Sequence, residues 1–292
     1  MDKKTIKRSW PDRIFNAANL ILLGLIGLVA VLPYINMIAV SLSSSGAVDS
    51  GRVTFYPIGF HLENYKTVLM DKNVLKSIGI SVAMTVVGTI FSLLLTVMLA
   101  FPLSREEFKL RKVCNVMILI VFIFSAPVIP WYLTMRSYGL YDNFWALILP
   151  SALSTYNIII VRSFFQEIPS ALIDAAKVDG CGEMRTLMQI ILPISKAVMA
   201  TVGLMYGVGY WNSYTNPLYL INDRNLYTLQ LRIKSIVLDS EALESMNVVS
   251  TGTSTEALKM TTIIVAALPV LCVYPFLQKY FIKGMTIGSV KG

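Results

Sequence analysis

Apolar residues run along this 292-residue chain in long uninterrupted stretches, separated by shorter polar ones. A helix rising 1.5 Å per residue needs about 20 such residues to cross a hydrocarbon core of roughly 30 Å. Six stretches approach or exceed that length, at approximately 14–42, 77–103, 113–135, 144–161, 197–221 and 260–277. None of them contains Asp, Glu, Lys, Arg or His. A backbone in lipid has to satisfy its hydrogen bonds internally, so each stretch predicts a helix. Helices buried in a soluble bundle would keep a polar face, and these have none. The pattern predicts an all-α integral membrane protein with six transmembrane helices.

Composition agrees: 55% of residues are hydrophobic, 14% are charged, and the mean hydropathy is +0.65. Soluble domains carry about 25% charged residues, and disordered chains are poor in apolar ones. The basic N-terminus leads into an apolar stretch that is too long for a signal peptide and lacks a small-residue cleavage site. It reads as a retained first helix. Cys114, Cys181 and Cys272 have no metal-ligand spacing and imply no disulfide framework.

Charge orients the six spans. Sixteen of the 25 Lys and Arg fall in the N-terminus, the second and fourth loops and the C-terminus, so the net charge of +8 lies on one side. Lys3, Lys4, Lys7, Arg8 and Arg13 precede the first span, and Arg105, Lys109, Arg111 and Lys112 crowd the second loop. The positive-inside bias predicts cytoplasmic N- and C-termini in a multi-pass cell-membrane protein. The basic balance thus reports topology and anionic headgroups, not nucleic acid. Trp10, Trp131, Trp145 and Trp211 fall near predicted interfaces, as in an aromatic belt.

The charge-free spans exclude whole classes of function. Proton- and ion-coupled carriers, charged-ring channels and membrane enzymes with an acid–base pair place ionisable groups at membrane depth. The lone histidine, His61, reads as a surface residue, and no metal site or cofactor is expected. What the spans offer is neutral: Ser81, Thr85, Thr89, Ser92 and Thr96 at near-helical spacing on the second, and Ser125 with Pro127 and Pro130 on the third. The two prolines predict a kink or break there. Trp131, Asn157, Tyr210, Trp211, Asn212 and Tyr214 complete a candidate translocation path for a neutral polyhydroxylated solute. The same small polar groups equally suit helix-to-helix adhesion.

The fourth loop, read as a coupling segment at 167–193, is the most informative stretch. Pro169 and Ser170 open a helix, and Ala171, Ala175 and Val178 form a small-residue face on it. Gly180 supplies a left-handed stop, and Met184, Leu187, Met188 and Ile191 line one side of a second segment. Pro193 begins the next span. The string D-A-A-K-V-D-G, from Asp174 through Ala175, Ala176 and Asp179 to Gly180, with L-P at Leu192–Pro193, resembles the cytoplasmic signature of permease subunits in binding-protein-dependent ABC importers. Asp174 stands where that family usually has glutamate, and Cys181 where it usually has alanine.

The resemblance implies the type I ABC importer fold, with a coupling helix between spans four and five that docks on an ATP-binding subunit. The tail Y-F-I-K-G-M-T-I-G-S-V-K-G and the segment FYPIGFHLENYKTVL look like the shorter permease of maltose-type sugar importers. By that likeness Gly288, Lys291 and Gly292 contact the ATPases. The implied partners are a homologous second permease, two ATP-binding subunits, an extracytoplasmic solute-binding protein and the bilayer, with no nucleic acid. The implied organisation is a cytoplasmic N-terminus (1–13), a first span (14–42), an extracytoplasmic segment (43–73), an importer core (74–282) with an outer loop at 222–258, and a cytoplasmic tail (283–292). Asn222, Asp223 and Arg224, with Asp239, Glu241 and Glu244, lie in that outer loop, which is long enough to touch the binding protein. No G-x-x-x-x-G-K-[ST] phosphate loop is present, so the chain is expected to be a transport subunit and not an enzyme. The implied cargo is a sugar or oligosaccharide. The same architecture importing an amino acid, peptide or phosphate, and a membrane-embedded enzyme or assembly scaffold, stay open as alternatives.

Overall fold

The first apolar stretch forms one helix, α1 (Trp10–Ser41), in the computed structural model of the chain, which describes residues 10–124, 126–245 and 254–287. Pro33 lies inside α1 without ending it. The helices α2 (Ser45–Asp49) and α3 (Glu63–Met70) follow. The exit of α1 is locked by polar side chains. Asn64 Nδ2 donates to Ser41 O at 3.0 Å, Ser41 Oγ lies 2.8 Å from the Tyr65 hydroxyl, and Ser43 Oγ accepts the Ile58 amide at 3.0 Å. All three polar side chains, Ser41, Ser43 and Asn64, are buried. His61 makes a local turn contact, its Nδ1 3.1 Å from Gly59 O.

Asp71 opens the second long helix, α4 (Lys72–Ser104), by accepting the Asn73 amide at 2.7 Å. Its buried positions recur every three or four residues: Val74, Ser77, Ser81, Met84, Gly88, Ser92 and Thr96. This is one face of an α-helix.

Three of the remaining predicted runs are broken. The third splits into α5 (Arg111–Ile123) and α6 (Val128–Ser137). Pro127 caps α6 and Pro130 falls in its first turn, where a missing donor is harmless, so the two prolines cause a single break. The fourth gives α7 (Trp145–Ile148), a 3-10 turn at Leu149–Ser151 and α8 (Thr155–Glu167), with a 55° bend. Pro150 sits in that turn, and Ser154 re-caps the chain by accepting the Asn157 amide at 3.4 Å. Next come α9 (Ser170–Val178), α10 (Glu183–Thr186), a π turn at Leu187–Ile191 and α11 (Leu192–Ile194). The fifth run forms α12 (Lys196–Trp211), which stops ten residues short of the predicted end, and a separate α13 (Thr215–Leu220). A 3-10 turn at Arg224–Leu226, α14 (Leu229–Ser245) and α15 (Thr255–Ile287) complete the chain. Among the described residues there is no strand.

Helix α1, helix α4 and Thr255–Cys272 of α15 are each long and apolar enough to cross a membrane. The bent pairs Trp145–Ser151 with Thr155–Glu167, and Glu183–Ile194 with Lys196–Trp211, raise the number to five if each is one span.

The chain divides into two units, Met1–Met70 with Ile236–Val265, and Asp71–Ser235 with Ala266–Gly292. In the second unit α4 packs along α12 and α8. Met84, Leu147, Ile148, Val161, Phe165, Ile191 and Val202 fill the space between them. Two tyrosines of α12 tie this packing together. Tyr210 is 2.9 Å from Ser92 Oγ and donates to Ile148 O at 3.1 Å. Tyr206 is 2.7 Å from Thr96 Oγ1 and accepts the Ser154 amide at 3.1 Å. Ser92 and Thr96 of the α4 polar stripe are therefore packing residues, whereas the Thr85 and Thr89 hydroxyls have no hydrogen-bond partner among the described residues.

Candidate functional site

The connection between α8 and α12 carries the signature residues. Leu172 N–H bonds Pro169 O at 3.2 Å in the first turn of α9, as the Pro-Ser start predicts. The helix then divides its faces. Ile173 and Ala176 are buried, whereas Leu172, Ala175 and Val178 are exposed, Val178 at 88%. The expected small-residue face, Ala171, Ala175 and Val178, is thus left uncovered by this chain. Exposed aliphatic side chains beside a short helix make a surface suited to another protein.

Gly180 ends α9 in the left-handed region, with φ +77. Its amide bonds Lys177 O at 3.0 Å, and the Cys181 amide reaches back to Ala176 O at 2.9 Å. A Cβ at Gly180 would meet nothing within 4 Å, so the requirement for glycine is conformational, not steric. Asp179 caps the helix just before it.

Charge is concentrated behind α9. Lys177 Nζ lies 2.8 Å from Glu107 Oε1, which follows the end of α4, and 4.0 Å from Glu183 across the Gly180 turn. The hydrogen bond from Lys177 holds the Glu107 carboxyl below its usual range, and the same contact raises the Lys177 ammonium. Asp174 and Arg105 line an open cavity of about 640 Å³ beside this pair. The Arg105 guanidinium sits 4.9 Å from the Phe101 ring centre, and burial lowers its pKa against the opposing pull of Glu183 and Glu107.

In the second segment Leu187 and Ile191 enter the core, while Met184 and Met188 stay exposed and edge an apolar groove of about 210 Å³ with Leu93, Met98 and Met199. Three of the four side chains expected on one side, Met184, Leu187 and Met188, thus line this groove, and Ile191 lies wholly in the core. Pro193 lies in the short α11, and the next span begins only after it. The turn comes at Ser195, whose hydroxyl donates to Ile191 O at 2.6 Å, and the two arms there meet at 86°.

The candidate path residues do not form one lining. Asn157, Tyr210 and Trp211 are buried in helix packing, and the Trp211 indole N–H donates to Ala266 O at 3.3 Å. Trp131 is half-buried, edge-on to Tyr219 at 6.4 Å. Asn212 and Tyr214, in the break between α12 and α13, are exposed. Ser125, Gly288, Lys291 and Gly292 lie outside the described residues. Sequence reasoning missed the Lys177–Glu107 pair, because two charges 70 positions apart carry no pattern. The four basic residues of the second loop marked only the neighbourhood.

Comparison with known proteins gives this arrangement its setting. Residues 76–287 match the family model described as "binding-protein-dependent transport system inner membrane component". The chain is 38% identical to protein LplC of Bacillus subtilis over 290 residues, covering 99% of this chain and 98% of LplC. It is 37% identical to the polygalacturonan/rhamnogalacturonan transport system permease protein YtcP of the same organism, covering 96% and 99%. Among solved structures it is similar to a chain of a bacterial ABC transporter involved in import of the acidic polysaccharide alginate, with TM-score 0.86, 32% identity, and 95% and 100% coverage. A second chain, from the alginate transporter in complex with its pentasaccharide-bound periplasmic protein, shares the fold at 16% identity and TM-score 0.56. With its family match extending from the first turns of α4 to the end of α15, the chain belongs to the multi-pass membrane permeases of binding-protein-dependent ABC importers, transport subunits whose ATP is hydrolysed by partner subunits.

Proposed function

We propose that this chain is half of the translocation path of an oligosaccharide importer, and that α9 is the element through which ATP-binding subunits drive it. The observation that carries this reading is the uncovered Leu172, Ala175 and Val178 face of α9, placed directly before the left-handed Gly180. A partner that closes on this face displaces α9, and the displacement passes through the Ser195 bend into α12. On this reading Asp174 and Asp179 flank the docking surface with charge, Ala176 anchors the helix to its own chain, and Pro193 stiffens the approach to the bend. The chain has six spans, with α5 and α6 together crossing once, and both termini face the cytoplasm. The tail residues Gly288, Lys291 and Gly292 contact the ATPases.

The oligosaccharide reading is supported by the company the chain keeps. YtcP is named for polygalacturonan and rhamnogalacturonan, AraQ of Halalkalibacterium halodurans (26% identical) for arabinooligosaccharides, and the similar solved transporter for alginate. The uncharged, amide- and hydroxyl-bearing break at Asn212 and Tyr214 suits hydrogen bonding to sugar hydroxyls.

Gly180→Val tests the coupling role. A β-branched residue is disfavoured at positive φ, so the end of α9 must rearrange. In proteoliposomes holding the full transporter, ATP hydrolysis stimulated by the binding protein should fall about tenfold or more while membrane insertion is unchanged. Stimulation equal to that of the parent would overturn the assignment of α9.

A further inference from the structure

We propose that Asp142 is a positioning residue that holds the 222–226 turn in readiness for the solute-binding protein. The proposal rests on the outward placement of that turn in the function proposed above. Asp142 has φ 55, the sole non-glycine residue with positive φ among those described. An L-residue pays for that conformation in strain and keeps it only where its surroundings insist on it. Here the surroundings are three hydrogen bonds to a segment 80 positions away. The Asp142 amide donates to Leu220 O at 2.8 Å, and its Oδ1 accepts the Asn222 amide at 3.0 Å and the Asp223 amide at 2.7 Å. The left-handed backbone is what lets one residue present its amide and its carboxylate to the same strand of chain.

The turn so held is gripped from other sides as well. Asp223 Oδ1 accepts the Asn225 amide at 2.8 Å, Lys76 Nζ of α4 donates to Asn225 Oδ1 at 2.8 Å, and Arg232 Nη2 of α14 donates to Arg224 O at 3.2 Å. Residues 222–225 are nonetheless all exposed. Exposed polar contacts add little to stability, so their concentration on one short turn points to shape and not to folding. A turn fixed before its partner arrives loses less freedom on docking and binds more tightly for the same contacts. The Arg224 guanidinium makes no ion pair among the described residues; only the backbone oxygen of Arg224 is engaged. A rigid loop with an exposed guanidinium fits a carboxylate-bearing surface on the lobe of a binding protein.

Two variants separate the side chain from the strain. Asp142→Gly keeps the left-handed backbone but removes the acceptor, and Asp142→Asn keeps an acceptor oxygen and tolerates the same φ. The dissociation constant of the binding protein is measured on the complete transporter in nanodiscs, arrested with ATP and vanadate. Asp142→Gly should weaken binding about fivefold or more, with Asp142→Asn within about twofold of the parent. Hydrogen exchange at the Asn222 and Asp223 amides should accelerate in the glycine variant alone. Equal affinity in parent and Asp142→Gly, or unchanged exchange, would overturn the proposal. Failure of the parent complex to bind the protein at all, or labelling of Asn225→Cys by an impermeant maleimide from the cytoplasmic side only, would instead overturn the reading on which it rests.

Discussion

Helices α1 and α4 are nearly the same length, 32 and 33 residues, and their most apolar windows have the same mean hydropathy. Yet none of the α1 window is buried within the chain, against 28% of that in α4. The difference lies in what interrupts the aliphatic side chains. In α4 the small residues Ser77, Ser81, Gly88, Ser92 and Thr96 fall on one face, and partners reach in to bond Ser81, Ser92 and Thr96 and to pack on Gly88. In α1 the segment from Leu20 to Val31 also holds small residues, Gly24, Gly27 and Ala30, but no hydroxylated one, and its bulky aliphatics are exposed. Hydropathy decides whether a helix enters the bilayer; hydroxylated residues help decide which other helix it meets there.

The sharpest way to break this contrast is to add bulk to a glycine of each helix. A Cβ at Gly88 would sit 2.8 Å from the Tyr210 ring, while one at Gly24 or Gly27 meets nothing within 4 Å. Gly88→Leu should destabilise the purified chain by about 1–3 kcal/mol, read as a lower thermal unfolding temperature in detergent. Gly24→Leu should leave it unchanged. Equal effects would abolish the distinction, whereas an effect of Gly24→Leu confined to the assembled transporter would sharpen it by placing a partner against α1.

A smaller loss is expected for Tyr206→Phe. It strands the Ser154 amide and the Thr96 hydroxyl, which Tyr206 now serves at 3.1 and 2.7 Å, and should lower stability by about 1–2 kcal/mol in the same assay. No loss would mean that the Tyr206 hydroxyl adds nothing to the joint between α4 and α12.

The smallest effect belongs to the ion pair just beyond the end of α4. Lys177→Met should reduce coupled ATP hydrolysis by less than about twofold, and exchanging the charges with Glu107→Lys and Lys177→Glu should restore it. Both groups are exposed, so added salt should erase the difference between parent and Lys177→Met. The pH dependence follows from the two shifts. Glu107 is lowered, so its share is complete above the ordinary carboxylate range and disappears as pH falls through the lowered value. Lys177 is raised, so its share is complete below the ordinary lysine range and disappears only as pH rises through the raised value. The contribution is therefore intact at neutral pH and lost in acid, where Lys177→Met and the parent should converge. A difference that persists unchanged in acid would remove Glu107 as the partner.

Much of this was legible in the residues. Apolar runs located the long helices, Pro127 and Pro130 the break in the third run, and the D-A-A-K-V-D-G string the helix ended by Gly180. What escaped were interruptions with milder signals. Pro150 sits in an apolar run and was read through, although it stops α7, and Ser154 then restarts the helix. The stop at Asn212 carries no proline or glycine; there the Asn212 side chain turns back to Val208 O at 3.0 Å. The division of polar residues between packing and lining was not legible at all. Tyr210 and Asn212 are two positions apart and equally polar on paper, yet one is buried against Ser92 and Ile148 and the other stays exposed, bonded to its own helix at Val208 O. That choice depends on which helix lies opposite, and periodicity on one helix does not report it.

On the coupling role proposed above, the right-angled corner at Ser195 would act as a bell crank. Its long arm, α12, has 16 residues and thus extends about 24 Å. A swing of only about 5° at the corner carries the Trp211 end sideways by about 2 Å, enough to shift a packed side chain off its seat. Because Tyr206 and Tyr210 pin that arm to α4, on that role both helices would share the sweep as a coordinated tilt.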